Sequence, residues 1–174
     1  MRSAHFAAAL ATLIAVPLGA PAAQSHHGLN DATIVAIFDA ANTADIETGQ
    51  LAAERGSTEQ MRRFGQMLMT DHRNVRQQGR DLAAKLGVTP TPPADSSAAA
   101  AHHAAMRRLS GLRGAAFDRA FLEHEIAFHK AVIEAVTTTL LPAISNAEVK
   151  ALVEKVAPAF VAHQKAAEGM LAKL

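Results

Sequence analysis

Histidines and carboxylates are the residues of this 174-residue chain that could do chemistry, because it contains nine histidines and no cysteine. Glu125 and His129 are four residues apart, so on a helix their side chains reach the same point. Asp71 and His72 are adjacent in a second segment, and His163 lies among apolar residues in a third. Imidazoles and carboxylates bind transition metals, and they also form buried hydrogen-bond networks. The residue types therefore indicate one of these two kinds of site.

Helical periodicity places these residues on or beside apolar faces. Asp71 and His72 lie on the two shoulders of the apolar stripe of their helix. Glu125 and His129 lie across from the charged face of theirs, and His163 lies within an apolar stripe. Burying ionisable groups costs several kcal/mol unless they are paired or bound to a metal. These side chains should therefore meet in the interior of the fold.

The apolar face of the first predicted helix is less clearly defined, because alanines occur on all sides of this helix. Asp45 falls near its apolar stripe, and Glu47 falls on the flank of that stripe. Counting outward from the turn near Pro142 brings His163 level with Glu125, with His129 about one turn away. The candidate metal ligands, in order of support, are therefore Glu125, His129, His163, His72, Asp71 and Glu47.

Four long helices must position these residues. Good helix formers dominate the chain, and no strand-length window alternates between apolar and polar residues. Gly56 and Pro142 imply short hairpin connections, whereas three prolines in residues 88–97 imply a long crossover. Pro158 should kink the last helix or mark a local defect in it. The predicted helices span residues 31–55, 58–86, 115–140 and 147–173, with a short helix over 98–110. The expected N-caps are Asn30 or Asp31 for the first, Ser57, in a capping box with Gln60, for the second, and Asn146 for the last, and Gly87 should end the second. This pattern predicts an all-α fold: a ferritin-like up-down four-helix bundle with a Pro-rich crossover between helices 2 and 3.

The N-terminus has the pattern of a secretory signal peptide. Arg2 precedes an apolar run over residues 6–16, and small residues follow at 20–22. We expect a signal peptide over residues 1–22, a flexible N-terminus over 23–29 and the bundle domain over 30–174. Cleavage near Ala22 would make the protein periplasmic or secreted, with no transmembrane segment left after cleavage.

Several function classes find no support. The net charge is +1, and Trp and Tyr are absent, which argues against nucleic-acid binding. The chain has no nucleophile elbow, phosphate-binding glycine loop or cysteine redox motif. The sequence therefore predicts no catalytic residue and favours a non-enzymatic role. It leaves open a homo-oligomer or a partner in the cell envelope.

The order of several short motifs resembles the family catalogued as domain of unknown function 4142. That family comprises exported bacterial proteins with a ferritin-like fold, sometimes labelled membrane or outer-membrane proteins. The resemblance covers about residues 30–171 and is carried by Glu47, Gly49 to Ala52, Phe64, Met67, Asp71-His72, Leu82-Ala83, Leu86-Gly87, Leu109 to Asp118, His129, Pro158 and His163. It implies fold and export but no reaction. The adjacent Asp71-His72 pair departs from the Glu-x-x-His spacing of di-iron bundles, so we expect no di-iron oxidase.

Three hypotheses follow. The sequence favours a buried His and carboxylate network that fixes helix register without a ligand. The first alternative is a site for zinc, copper, iron or nickel, because residue spacing cannot select among these metals. The second alternative is an envelope-stress or partner-binding module that uses the crossover and the short helix bearing His102 and His103.

Overall fold

A computed structural model of the chain describes residues 29–95 and 97–174. The predicted signal peptide at 1–22, and all but the last residue of the segment 23–29, lie outside the described residues. The described residues form helices and no strand, which confirms the all-α prediction. The helices are α1 (Asp31–Arg55), α2 (Glu59–Leu86), α3 (Ser97–Ser110), α4 (Gly114–Ala135), α5 (Leu141–Ala143) and α6 (Ala147–Leu171).

Side-chain caps set the starts of the long helices. The side chain of Asn30 accepts a hydrogen bond from the Thr33 amide, and that of Asn146 accepts from the amides of Glu148 and Val149. Gly87, with φ of 65°, ends α2 in the left-handed region that glycine tolerates. The cap of α2 differs from the predicted one, as the next contact explains.

Thr58, not Ser57, caps α2. Its side chain accepts a hydrogen bond from the amide of Met61. Ser57 is engaged elsewhere: both its amide and its hydroxyl donate to the buried carboxylate of Asp118 on α4. The contact ties the α1–α2 turn to the start of α4, which the local sequence pattern could not reveal.

Two glycines hold α1 against α2. A Cβ atom on Gly65 would lie 2.5 Å from the amide nitrogen of Ala53 and 2.6 Å from the carbonyl oxygen of Gly49. A Cβ on Gly49 would lie 2.9 Å from the carbonyl oxygen of Gly65. The two backbones therefore touch here, and this contact fixes which side of α1 faces α2.

The end of α4 differs from the continuous α-helix predicted to Leu140. Residues Val136–Leu140 form a π-helical turn, in which the amide of Leu141 donates to the carbonyl of Val136. Pro142 has no N–H to donate to the Thr138 carbonyl, so an α-helical ladder cannot close at this point. Helix α6, in contrast, continues through the exposed Pro158.

The hydrophobic core is divided into two clusters. One contains Ile34, Phe38, Val136, Val153 and Phe160, and the other contains Leu51, Phe64, Leu68, Phe117 and Phe121. The hairpin of α1 and α2 packs against that of α4 and α6, so that both clusters lie between them. On each of the four long helices, a buried polar residue lies in sequence between members of the two clusters. Within the described residues, no helix combines the length and the apolar character needed to cross a bilayer.

Candidate metal centre

Three imidazoles from three different helices converge in the core. They belong to His72 on α2, His129 on α4 and His163 on α6, whose residues are 3%, 1% and 5% exposed. The ring centres are 5.1 Å apart for His72 and His163, 5.4 Å for His129 and His163, and 5.7 Å for His72 and His129. One nitrogen from each ring lies within 4.8 Å of the other two. Such spacing matches three ligands around one point.

Hydrogen bonds at Nδ1, on the opposite edge of each ring from Nε2, fix the rings of His72 and His129. The Asn42 amide nitrogen donates to the carbonyl of Phe38 at 2.7 Å, which turns the Asn42 side-chain oxygen toward His72. That oxygen lies 2.9 Å from His72 Nδ1. His129 Nδ1 lies 2.9 Å from the backbone carbonyl oxygen of Glu125. Both oxygens only accept hydrogen bonds, so each Nδ1 carries the proton and each Nε2 carries a lone pair.

His163 is held in the same way but through its other nitrogen. Its Nε2 lies 3.1 Å from the half-exposed carboxylate of Asp71 and donates to it, so Nδ1 carries the lone pair. That Nδ1 lies 3.2 Å from Nε2 of His72. Two neutral nitrogens that both carry lone pairs repel each other at this distance. The arrangement suits a cation between them, and partners of this kind orient metal-binding histidines in other proteins.

Two buried carboxyl groups complete the cluster. The Asp45 carboxylate, on α1, lies 2.7 Å from Nε2 of His72 and 3.2 Å from Nε2 of His129. The Glu125 carboxylate lies 3.5 Å from Nδ1 of His129. With both carboxyl groups ionised, their four oxygens and Nε2 of His129 have no hydrogen-bond partner among the described residues, whereas a proton on one carboxyl group would join Asp45 to Glu125. The cluster therefore needs either a shared proton or a cation to satisfy these buried atoms.

Burial sets the charge of these groups. Desolvation raises the pKa of Asp45 from 3.8 to about 7. Desolvation and the neighbouring Asp45 charge raise the pKa of Glu125 well above its usual range, which favours its protonated form. Desolvation lowers the pKa of His72 to about 4 and that of His129 to about 3, and it also lowers the pKa of His163. The three imidazoles are therefore neutral at pH 7, the form that binds metals.

The structure brings together four of the six predicted ligands: Glu125, His129, His163 and His72. Asp71 contacts the cluster from outside, through Nε2 of His163. Glu47 lies apart from it, exposed, with its carboxylate 2.7 Å from Nε2 of His102 on α3.

Asp45 and Asn42 are the members that the sequence-based choice omitted. Asp45 gave a weak signal, since it lies near the apolar stripe of α1. Asn42 gave none, because an asparagine in a helix has many other roles.

A cavity of about 60 Å³ adjoins the cluster. Asn42, Asp45, His72 and His129 are among the residues that line it. The rest of its wall is apolar and comes from α1, α4, the π-helical turn and α6. The cavity therefore adjoins the cluster mainly through carbon atoms.

Comparisons with known proteins support the fold. Residues 16–170 match the family described as domain of unknown function (DUF4142). Among solved structures, a DUF305 fragment from Deinococcus radiodurans is similar with a TM-score of 0.73 at 20% identity, covering 83% of this chain and 96% of that one. CopM in the Cu(II)-bound form is similar with a TM-score of 0.63 at 14% identity, covering 83% of this chain and 98% of that one. CopM in the apo form gives a TM-score of 0.64 with the same identity and coverage. No curated protein matches the chain.

Proposed function

The chain belongs to the DUF4142 family, and we propose that it binds one divalent transition-metal ion inside the bundle. The ligands would be Nε2 of His72, Nε2 of His129, Nδ1 of His163 and the carboxylate of Asp45. The observation that carries the proposal is the convergence of three buried imidazoles on one point, with the Asp45 carboxylate 2.7 Å from His72 and 3.2 Å from His129. Glu125 lies beside this set, with its carboxyl group 3.5 Å from Nδ1 of His129.

A ligand-free network, which the sequence favoured, fits the same atoms less well. Such a network needs a proton between each close pair of polar atoms. His72 and His163 approach through two lone pairs, because the outer nitrogen of each ring already donates. A metal ion would satisfy both nitrogens and Asp45 at once. It would also offset the cost of burying a carboxylate, which is several kcal/mol when the charge is unpaired.

The ligand chemistry narrows the choice of metal. Imidazoles with a carboxylate suit zinc, copper, nickel and iron, whereas Cu(I) prefers sulfur ligands. The chain has no cysteine, and no methionine is among the described residues that line the cavity. Divalent copper binds such sites most tightly of the first-row metals. A bundle of the same fold, CopM, has been solved in a Cu(II)-bound form. Cu(II) is therefore the first ion to test, with Zn(II) as the second.

Metal titration of untagged protein tests the proposal. Calorimetry and elemental analysis should give one Cu(II) or Zn(II) per chain. His129→Ala and His163→Ala should abolish this binding, because each removes one nitrogen ligand. His124→Ala is the matched control, since His124 lies on α4 outside the cluster and should leave binding unchanged. His129→Gln, which keeps most of the side-chain volume, separates loss of a ligand from loss of the fold. Substoichiometric metal that does not respond to these changes would overturn the proposal.

The proposal includes export to the cell envelope. Its support is the basic, apolar and small-residue pattern of residues 1–22. N-terminal sequencing of the protein from a bacterial periplasmic extract should give a start near Ala23. A full-length protein retained in the cytoplasm would contradict this part of the proposal.

A further inference from the structure

Arginines are concentrated at the end of the bundle where α1 turns into α2. The hydrogen bonds of Arg55 to the Ser110 carbonyl and of Ser57 to Asp118 bring this turn against the turn between α3 and α4. The two segments 54–63 and 107–119 contain three acidic residues and seven arginines, here called the arginine end: Arg55, Arg62, Arg63, Arg107, Arg108, Arg113 and Arg119. Because the whole chain carries a net charge of only +1, its positive charge is concentrated at this end.

Few arginines of the arginine end have a carboxylate partner. Arg63 pairs with Glu59, and Arg108 lies 3.8 Å from Glu123. Asp118 is buried, so it is no counterion for the surface. Within residues 29–95 and 97–174, five arginines of this end form no ion pair: Arg55, Arg62, Arg107, Arg113 and Arg119. The arginine end therefore presents positive charge that the protein itself does not neutralise.

The stability of the helices does not explain the arginines at the starts of α2 and α4. Positive charge is unfavourable near the N-terminal end of a helix, where serine, threonine, asparagine and aspartate are the preferred caps. Arg113 nevertheless occupies the N-cap of α4 without a side-chain capping bond, and the first turn that follows has no acidic residue. Arg62 is the fourth residue of α2. Residues that oppose a local structural preference occur mainly at functional sites, which indicates an anionic partner.

Backbone carbonyls hold three of these guanidinium groups at the two turns. Nη1 of Arg55 and Nη1 of Arg113 donate to the same Ser110 carbonyl, at 2.7 and 2.9 Å. Nη1 of Arg62 donates to the Gly56 carbonyl at 2.7 Å. A guanidinium group has five N–H donors in a planar fork that matches the oxygens of a phosphate, and these bonds use few of them. Two like charges on one carbonyl repel each other, and a bound anion would offset this repulsion.

We infer that the arginine end binds the phosphate headgroups of an anionic membrane surface. Its arginines come from the ends of four helices, and all except Arg55 are exposed. Small ligands bind in concave, enclosed sites, whereas several exposed cations at one end suit an extended charged surface. Export, which is part of the proposed function, would bring this end to a membrane of the cell envelope. The binding itself does not depend on the metal centre.

Vesicle co-sedimentation tests the inference, with a chelator present so that the result does not depend on the metal centre. The protein should bind vesicles that contain phosphatidylglycerol and not vesicles of phosphatidylcholine alone, and salt should weaken this binding. The test variant replaces three exposed arginines of this end: Arg107→Gln, Arg113→Gln and Arg119→Gln. Its affinity should fall about 100-fold, because each arginine near an anionic bilayer contributes about a factor of five.

The control variant removes the same charge from exposed positions on α2, α4 and α6 outside the arginine end: Arg73→Gln, Lys130→Gln and Lys150→Gln. Its affinity for the vesicles should stay close to that of the wild type. Thermal melts check that both variants fold. If the triple test variant is unfolded, Arg113→Gln alone should lower the affinity about fivefold, with Arg73→Gln as its control.

Four results would overturn the inference. The first is no binding to phosphatidylglycerol vesicles, and the second is equal binding to both kinds of vesicle, which would mean adsorption independent of charge. The third is an equal loss of affinity in the test and control variants, which would mean a response to net charge alone. The fourth is displacement from the vesicles by inorganic phosphate beyond that by chloride at equal ionic strength, which would identify a free anion as the ligand. Failure to bind a metal would overturn the proposed function and leave these results unaffected.

Discussion

Asp45→Asn distinguishes a metal ligand from a member of a ligand-free network, because the two roles give stability changes of opposite sign. Asp45 is 1% exposed, and its carboxylate lies 2.7 Å from a His72 nitrogen that carries a lone pair. Without a metal the ionised carboxylate is repelled there. An amide at the same position remains neutral and can donate a hydrogen bond to that nitrogen.

The pKa shift of Asp45 sets the magnitude. Burial raises the pKa from 3.8 to about 7, and each unit corresponds to about 1.36 kcal/mol. A carboxyl group whose pKa is raised by folding stabilises the fold below pH 3.8 and loses that contribution as the pH rises to about 7. At pH 7 the contribution of Asp45 to the free energy of unfolding of the wild type is therefore up to about 4 kcal/mol lower than at low pH. Burying an amide itself costs about 1–3 kcal/mol before hydrogen bonding. We expect Asp45→Asn to stabilise the metal-free protein by about 2 kcal/mol, or about 4–8 °C in Tm.

Bound metal should reverse the order of stability of the wild type and Asp45→Asn. A ligand at 100 times its Kd adds about 2.7 kcal/mol to the free energy of unfolding. The wild type should gain this amount and the variant much less, because a neutral amide is a weak metal ligand. Thermal melts with chelator and with Cu(II) or Zn(II) measure both effects. Asp39→Asn is the control, since Asp39 lies on the same helix in a surface pair with Arg80.

One result would refute the reasoning. If Asp45→Asn destabilises the metal-free protein and metal shifts neither melt, the carboxylate stabilises a ligand-free network. The control variant should show a change below about 1 kcal/mol in both conditions, as surface ion pairs do.

Three further predictions concern the framework and the site. Gly65→Ala should lower the free energy of unfolding in urea by about 1–3 kcal/mol, because its Cβ would lie 2.5 Å from the Ala53 amide nitrogen. The control Gly169→Ala, whose Cβ would lie in open space, should raise it by up to about 1 kcal/mol. Asn42→Ala should weaken metal binding about 10- to 100-fold in calorimetry, because it frees the His72 ring; unchanged affinity would contradict the orienting role. Metal affinity should fall about tenfold per pH unit below the Asp45 pKa of about 7 and level off above it, because metal binding displaces the proton of the Asp45 carboxyl group. Asp45→Asn should remove this dependence of metal affinity on pH.

The fold could be predicted because its signals are local. Asn30 and Asn146 cap helices where the sequence places them, and Gly87 ends α2. The cap of α2 and the π-helical turn could not be predicted, because each depends on a partner distant in sequence or on a competition between hydrogen-bond patterns. Ser57 binds Asp118, 61 residues away, which no window around the helix start contains.

The convergence of His129 and His163 could also be predicted, because Pro142 implies a short hairpin between their helices. A short connection fixes the register, so residues equally far from the turn lie level. Glu125 follows from His129 by the one-turn spacing. The contact of this hairpin with α1 has no such constraint, since a long crossover joins α2 to α4.

The orientation of α1 decides which of its carboxylates enters the site, and the sequence held an overlooked clue to it. Gly49 touches Gly65 through the backbone, so Gly49 marks the side of α1 that faces the bundle. At about 100° per residue, Asp45 lies only about 40° from Gly49 around the helix, whereas Glu47 lies about 160° from it. His72, seven residues after Gly65, lies within about 20° of it on α2. Small residues at a close helix contact thus orient an Ala-rich helix that apolar periodicity leaves ambiguous, and they select Asp45 and exclude Glu47.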